Sequence, residues 1–349
     1  MLNIIKVHQK DEIIIDLVYI AIITLLLNSE DIKPKFSDFE SCSIIMESFK
    51  MLNHSYNCCL NGCLVLALLS NNHPDNSKTF GSLGICELIL KVVDDHSSQP
   101  DVIKNLVALI ATLSLDESNK SRIGELGVIE STLKVISVVN ISNDFALDIL
   151  TALSRLSCNN NNNKYLIGSS GGCSIVIRMI QFFFNEPSIV KKACIAISNL
   201  CSNSSNNNNF KNVTTSIEDS SLLPAINREN PSSPKTMAPS PRQPGRKPRI
   251  TKISEINQFQ NNEIFGSLGI CNIIIDIMKA YEDNEKIIVH SLDAVCCLVV
   301  FNSSNQIRFG ETGFSHVLIS FLNRYISTQV IIAFSILFFT LHMHFKCKS

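Results

Sequence analysis

The sequence predicts an all-α fold, a superhelix of stacked three-helix repeats sharing one continuous core. Three observations predict it. A motif holding a pair of glycines recurs at a near-constant period, apolar residues between the motifs keep spacings of three and four, and Leu recurs at one position of every unit. The chain of 349 residues is 45% apolar and 17% charged, ample for a long core. A net charge of −1 excludes a polybasic nucleic-acid binder. Thirteen cysteines, spread from Cys42 to Cys347 with no apolar leader and cleavage site ahead of them, read as reduced thiols of a cytosolic protein, with the nucleus as a second address.

The motif reads NSKTFGSLG at 76–84, NKSRIGELG at 119–127, NKYLIGSSG at 163–171, FGSLG at 265–269 and NQIRFGETG at 305–313. The first glycines are Gly81, Gly124, Gly168, Gly266 and Gly310, with successive separations of 43, 44, 98 and 44. One period before Gly81 stands Ser37, in a stretch that keeps the apolar pattern without either glycine. Thirty-two residues after these positions come Leu69, Leu113, Leu156, Leu200 and Leu298. Met46, Leu90, Leu133, Ile177 and Ile275 fall in line nearer the glycines. Each unit is expected to be a short helix, a glycine-marked bend and two longer antiparallel helices. Such a unit cannot bury its apolar face alone, so neighbours must stack.

These in-phase copies resemble the armadillo-repeat family over roughly residues 1–200 and 262–341; two-helix HEAT repeats are the close alternative. The resemblance implies a right-handed superhelix whose third helices line a concave surface. The expected division is armadillo-type repeats over 1–200 with an incomplete first unit, an Asn/Ser/Pro-rich basic insertion expected to be disordered over 201–261, and repeats again over 262–349.

Residues 1–10 and 13–27 occupy the register of a second and a third helix, so the chain opens in mid-pattern. At the other end, the apolar stretch 330–341 falls where a third helix belongs and is shorter than the roughly 20 residues a membrane span needs. It reads as a terminal core helix, with a membrane anchor as the alternative. The insertion holds seven of the 11 prolines. It reads as a solvated linker; sharper readings are phosphorylation at Ser233 or Ser240, a nuclear-localisation patch at Arg246, Lys247 and Arg249, and a minor-groove hook at 245–249.

Chemistry is not expected. Cys42, Cys86, Cys173 and Cys271 share one repeat position with Ile129, which says small buried hydrophobe. Neither a structural-zinc ligand set nor a nucleophile–base–acid set can be assembled, and the glycine motif lacks the Gly-Lys-Ser/Thr ending of a phosphate loop. No enzyme, metal, cofactor or small-molecule substrate is expected, and membranes and nucleic acid are disfavoured.

A partner site is expected on the third helices. Steps of four and seven trace one helical face through Asn57, Asp101, Asp144, Ser188 and Lys286, then Asn61, Asn105, Asp148, Lys192 and His290, then Leu68, Thr112, Arg155, Asn199 and Cys297. Solvation explains most of these polar residues singly; side by side they would form a groove. The expected groove residues are Asn61, Asp101, Asn105, Thr112, Asp144, Asp148, Arg155, Lys192, Asn199 and His290. Arg155 is the leading candidate, a guanidinium where the family places Asn, expected to be exposed and dispensable for stability. The family's peptide carriers use an Asn ladder with Trp beside it. Only Asn199 matches here, and there is no Trp. The function expected is a non-enzymatic scaffold or adaptor holding a protein segment, the alternatives being a regulator of a small GTPase or kinase and a nuclear-transport-type carrier.

Overall fold

The structure, a computed structural model, describes residues 1–202 and 260–324. The body of the expected insertion, with Ser233, Ser240 and the basic stretch, and the apolar tail lie outside the described residues. Among the described residues there are eighteen α-helices, one 3-10 helix and no strand.

Helices α1 (Leu2–Val7) and α2 (Glu12–Asn28) are the second and third helices of the opening unit. The first full unit has a 3-10 helix (Glu30–Phe36), α3 (Phe39–Leu52) and α4 (Tyr56–Ser70). Pro34 inside that short element cannot donate to an α-helical ladder, which accords with its tighter 3-10 form. The second unit comprises α5 (Pro74–Ser82), α6 (Ile85–Asp95) and α7 (Pro100–Leu113), and the third α8 (Glu117–Glu125), α9 (Val128–Ile136) and α10 (Asn143–Ser157). The fourth comprises α11 (Asn161–Ser169), α12 (Gly172–Phe182) and α13 (Pro187–Cys201), and the fifth α14 (Gln260–Ser267), α15 (Ile270–Ala280) and α16 (Glu285–Val299). Helices α17 (Ser303–Glu311) and α18 (Phe314–Arg324) begin a sixth.

Local chemistry sets the helix starts. Asp116, Asn160 and Asn302 accept hydrogen bonds from backbone amides three residues on, capping α8, α11 and α17. Helices α5, α7 and α13 open with proline, where a missing N–H costs nothing. The recurring leucines all lie in the core, each no more than 4% exposed.

The two glycines of the motif do different work. The second, as at Gly171 with φ 84°, turns the chain into the next helix through the left-handed region. The first is a close approach. A Cβ built on Gly168 would stand 1.8 Å from Asn261 Oδ1, and one on Gly124 2.0 Å from Asn163 Oδ1. In each case the asparagine comes from the following unit's short helix and inserts into this one.

That asparagine is an interlock. Asn119 Nδ2 donates to Ser77 O, Asn163 Nδ2 to Lys120 O, Asn261 Nδ2 to Lys164 O and Asn305 Nδ2 to Asn262 O, at 2.7 to 3.0 Å. Asn76, Asn163, Asn261 and Asn305 also donate to the carbonyls of Leu69, Leu156, Leu200 and Leu298 at the ends of the preceding third helices. All five asparagines are buried, at most 4% exposed. The recurring cysteine belongs to the same device: the thiols of Cys42, Cys86 and Cys173 donate to Asn76, Asn119 and Asn261 Oδ1 at 3.9 Å. Burial pushes the Cys86 and Cys173 thiols up to about 12, so they remain protonated donors. In the third unit Ile129 replaces the cysteine, and there Asn163 Oδ1 is left without a hydrogen-bond partner. The reading of these cysteines as simple small hydrophobes therefore missed their hydrogen bonds.

A second row of side chains ties second-helix ends together. His96 Nε2 lies 2.5 Å from Asn53 O, Arg178 donates to Ile136 O and Ser137 O, and Tyr281 donates to Phe184 O. The stack continues from the fourth unit to the fifth although residues 203–259 intervene in sequence: α13 packs on α16, with Cys194 Sγ 3.6 Å from Ser291 Oγ.

Candidate partner-binding groove

The third helices pack in succession, α2 on α4, α4 on α7, α7 on α10, α10 on α13 and α13 on α16. Their outer side chains form one continuous face. Asp101 and Asp144 stand exposed on it. Lys104 Nζ lies 3.8 Å from Asp144 Oδ2 in a solvated pair worth about 0–1 kcal/mol.

At the next level the asparagines face the stack itself. Asn61 Nδ2 donates to Asp16 Oδ1 at 2.7 Å, and Asn105 Nδ2 to Leu60 O at 3.0 Å. Lys192 is half-buried on α13, and His290 Nδ1 lies 3.8 Å from Asp293 Oδ2. Asp148 differs from these neighbours. It is 9% exposed, and among the described residues no hydrogen bond or ion pair reaches its carboxyl. Burial pushes that carboxyl up to about 7, Lys104 opposing the shift and Asp144 adding to it.

The third level corrects an expectation. Thr112 is 2% exposed with Oγ1 donating to Leu109 O, and Arg155 is 7% exposed with Nη1 donating to Ala111 O at 3.1 Å. Asn199 Nδ2 donates to Ser154 O and Oγ. Arg155 and Asn199 thus rivet each third helix to the one before it, while Thr112 bonds within its own helix. Ala111 lies in the last turn of α7, where carbonyls run out of intrahelical donors, so a long cationic side chain from the next helix is drawn onto it.

Two residues on this face were missed. Thr151 is 2% exposed and its Oγ1 has no partner, and Asp293 Oδ2 is likewise buried without a hydrogen bond. They share one repeat position with Leu64, Ala108 and Ile195. Three apolar occupants masked its polar use, yet it lies three residues past the Asn105 level and four before the Thr112 level, on the same face.

Two stability predictions follow. Arg155→Ala should lower the unfolding free energy by about 2 kcal/mol in urea, because it strands a buried carbonyl and removes packing; an unchanged midpoint would put Arg155 back in solvent. Asp148→Asn should behave differently with pH. The folded carboxyl binds its proton up to about 7, the unfolded one only to about 4, so wild-type stability falls as pH rises between them. The amide avoids that loss, so the variant should be near neutral at about pH 4 and more stable by about 4 kcal/mol at about pH 8.

Among the described residues no group of three or more His, Cys, Asp or Glu could hold a metal ion. No described helix is long and apolar enough to cross a membrane.

No family model matches the chain. No curated protein matches it either. Solved structures do. An engineered protein from a structural-genomics programme superposes with a TM-score of 0.61 at 11% identity, covering 86% of this chain and 96% of its own. A designed armadillo repeat protein, solved in complex with the peptide (KR)4, superposes with a TM-score of 0.57 at 13% identity, covering 86% and 98%. At such identities the likeness is one of fold, and the fold is an armadillo-type helical solenoid.

Proposed function

We propose that this armadillo-type solenoid is a non-enzymatic protein-binding scaffold that holds an extended partner segment along the third-helix face of its second to fourth units. One observation carries the reading. The third-helix surface satisfies most of its polar groups by bonding helix to helix, yet on its central helix α10 Thr151 Oγ1 is buried without a hydrogen bond, and the neighbouring Asp148 is only 9% exposed, with burial raising its carboxyl. Buried polar groups are ordinarily paired, and exceptions call for a missing donor or acceptor. The designed neighbour's complex with a peptide supports an extended segment as that occupant. The middle of a long stack is also where the surface is most rigid, so ordering on binding costs least.

Selection of extended peptides against the full chain tests this. Ala108→Arg and Ile195→Arg place bulk on half-buried positions of the same face without touching the rivets. Selected peptides should bind the parent and lose affinity by about tenfold or more on both variants. Equal binding by parent and variants moves the site off this face.

A further inference from the structure

We propose that the outer face of α2 is a self-association surface, covered in solution by the same face of a second copy of this chain. This stands apart from the groove reading, which it neither needs nor tests.

The composition of the helix sets the face. α2 is 17 residues long, so about 25 Å, and it is apolar on every side. A helix of that kind belongs in an interior. One side meets the expectation: Ile15, Tyr19, Ile22 and Leu26 are buried, Tyr19 Oη lies 2.6 Å from Ser48 Oγ on α3, and α2 packs on α4. Ile13, Leu17, Ile20, Thr24 and Leu27 are spaced by four and three, so they share the opposite side. There Ile13 is 74% exposed, Leu17 60% and Ile20 44%. Even the hydroxyl of Thr24 is turned to its own helix, donating to Ile20 O at 2.8 Å, so the stripe offers water nothing but apolar surface.

The repeat shows what such a side packs on. Asp11 and Ser55 are the N-cap residues of α2 and α4, which places Leu17 at the level of Asn61 and Thr24 at the level of Leu68. At these levels the other units meet the preceding third helix: Asn61 reaches Asp16 on α2, Asn105 reaches Leu60 O on α4, and Arg155 reaches Ala111 O on α7. Leu68 and Thr112 are 2% exposed, whereas Thr24 is open to solvent. The cover used in these joints is another third helix.

A second α2 supplies that cover and carries the same bare side, so one two-fold contact covers both. The acids of α2 are engaged with the stack: Glu12 lies 3.3 Å from His54, and Asp16 accepts from Asn61. No charge therefore stands in the stripe to oppose its own copy or to select a different partner. A two-fold through Ile20, the midpoint of the stripe, with the helices antiparallel keeps the acidic starts at Asp11 and Glu12 of the two copies apart. α1 widens the surface, with Ile4 and Val7 exposed on the side away from Lys6, which pairs with Glu40 of α3. The exposed apolar area is on the order of 600 Å² per copy, which with a polar rim approaches the roughly 800 Å² per partner of a standard interface. A lipid surface fits less well, because α2 has no Lys or Arg to meet anionic headgroups and its other side is held by α4.

The experiment is sedimentation equilibrium of the full chain from about 1 to about 100 μM, for parent, Leu17→Glu, Ile20→Glu and Ile20→Lys. The parent should be a dimer in the upper part of that range. Leu17→Glu and Ile20→Glu should each weaken dimerisation by about a hundredfold or more, because each copy would bury an unpaired charge. Mixing Ile20→Glu with Ile20→Lys should restore a dimer, since the two charges meet at the two-fold. Circular dichroism checks that the variants keep the parent's helix content, as substitutions on an exposed face should. Hydrogen exchange on the unaltered chain gives a reading free of any variant: protection should rise with concentration in α1 and α2. A parent that stays monomeric and shows no such rise overturns the proposal. So does a dimer that ignores the Leu17 and Ile20 substitutions, or a mixture of the two Ile20 variants that stays monomeric. Vesicles of phosphatidylcholine and phosphatidylserine form the last arm, and a monomer that sediments with them would make the face a lipid contact and sink self-association.

Discussion

Gly168→Ala is expected to lower the unfolding free energy by about 3 kcal/mol or more, while Gly171→Ala, three residues away, should cost only about 1 kcal/mol. The asymmetry separates the two glycines of the motif. At Gly171 φ is 84° and nothing lies within 4 Å of an added Cβ, so the cost is backbone strain alone. At Gly168 the methyl would overlap Asn261 Oδ1. Asn261 cannot retreat without giving up its bonds to Lys164 O and Leu200 O, and both carbonyls would be left buried. Each stranded group costs about 1–3 kcal/mol. Because repeats touch only their neighbours, the damage should fall at the joint between the fourth and fifth units and split one denaturation transition into two. A double-mutant cycle of Gly168→Ala with Asn261→Gly should show a coupling above about 1 kcal/mol, since the second change removes the oxygen the methyl strikes. Equal costs at Gly168 and Gly171 would reduce the interlock to a helix bend.

Leu156→Ala should cost about 2–5 kcal/mol, toward the upper end. Leu156 is 4% exposed and lines a cavity of about 20 Å³ with Ile123, Val128, Thr132 and Leu153. Removing its isobutyl group adds to a void already present, and the loss grows with the volume left empty. Another lining residue supplies a contrast. Thr132 Oγ1 is buried without a partner, so Thr132→Val should hold stability or raise it by about 1 kcal/mol. Thermal and urea unfolding of the two variants read both effects. A silent Leu156→Ala would mean that the recurring leucine does not mark the core.

The repeat length, the three helices per unit and the buried leucines are legible in the sequence because each rests on local spacing. Apolar residues three and four apart must share a helical face, and a motif returning every 43 or 44 residues must build the same unit again. The same reasoning found the face that carries Asp148. It could not say which polar residues on that face remain available. Arg155 and Asn199 look like groove side chains in a one-dimensional pattern, yet their partners, Ala111 O and Ser154, lie 44 and 45 residues back on another helix. The asparagine that opens each motif was likewise visible as a recurrence, while its function depends on a glycine in the preceding unit. Asn261 and Gly168 meet only because the stack closes across 203–259. Hydrogen-bond partners and burial are set by which units touch, so tertiary packing alone decided that Arg155 is a rivet and that Asp148, seven residues before it on the same helix, is largely withdrawn from solvent.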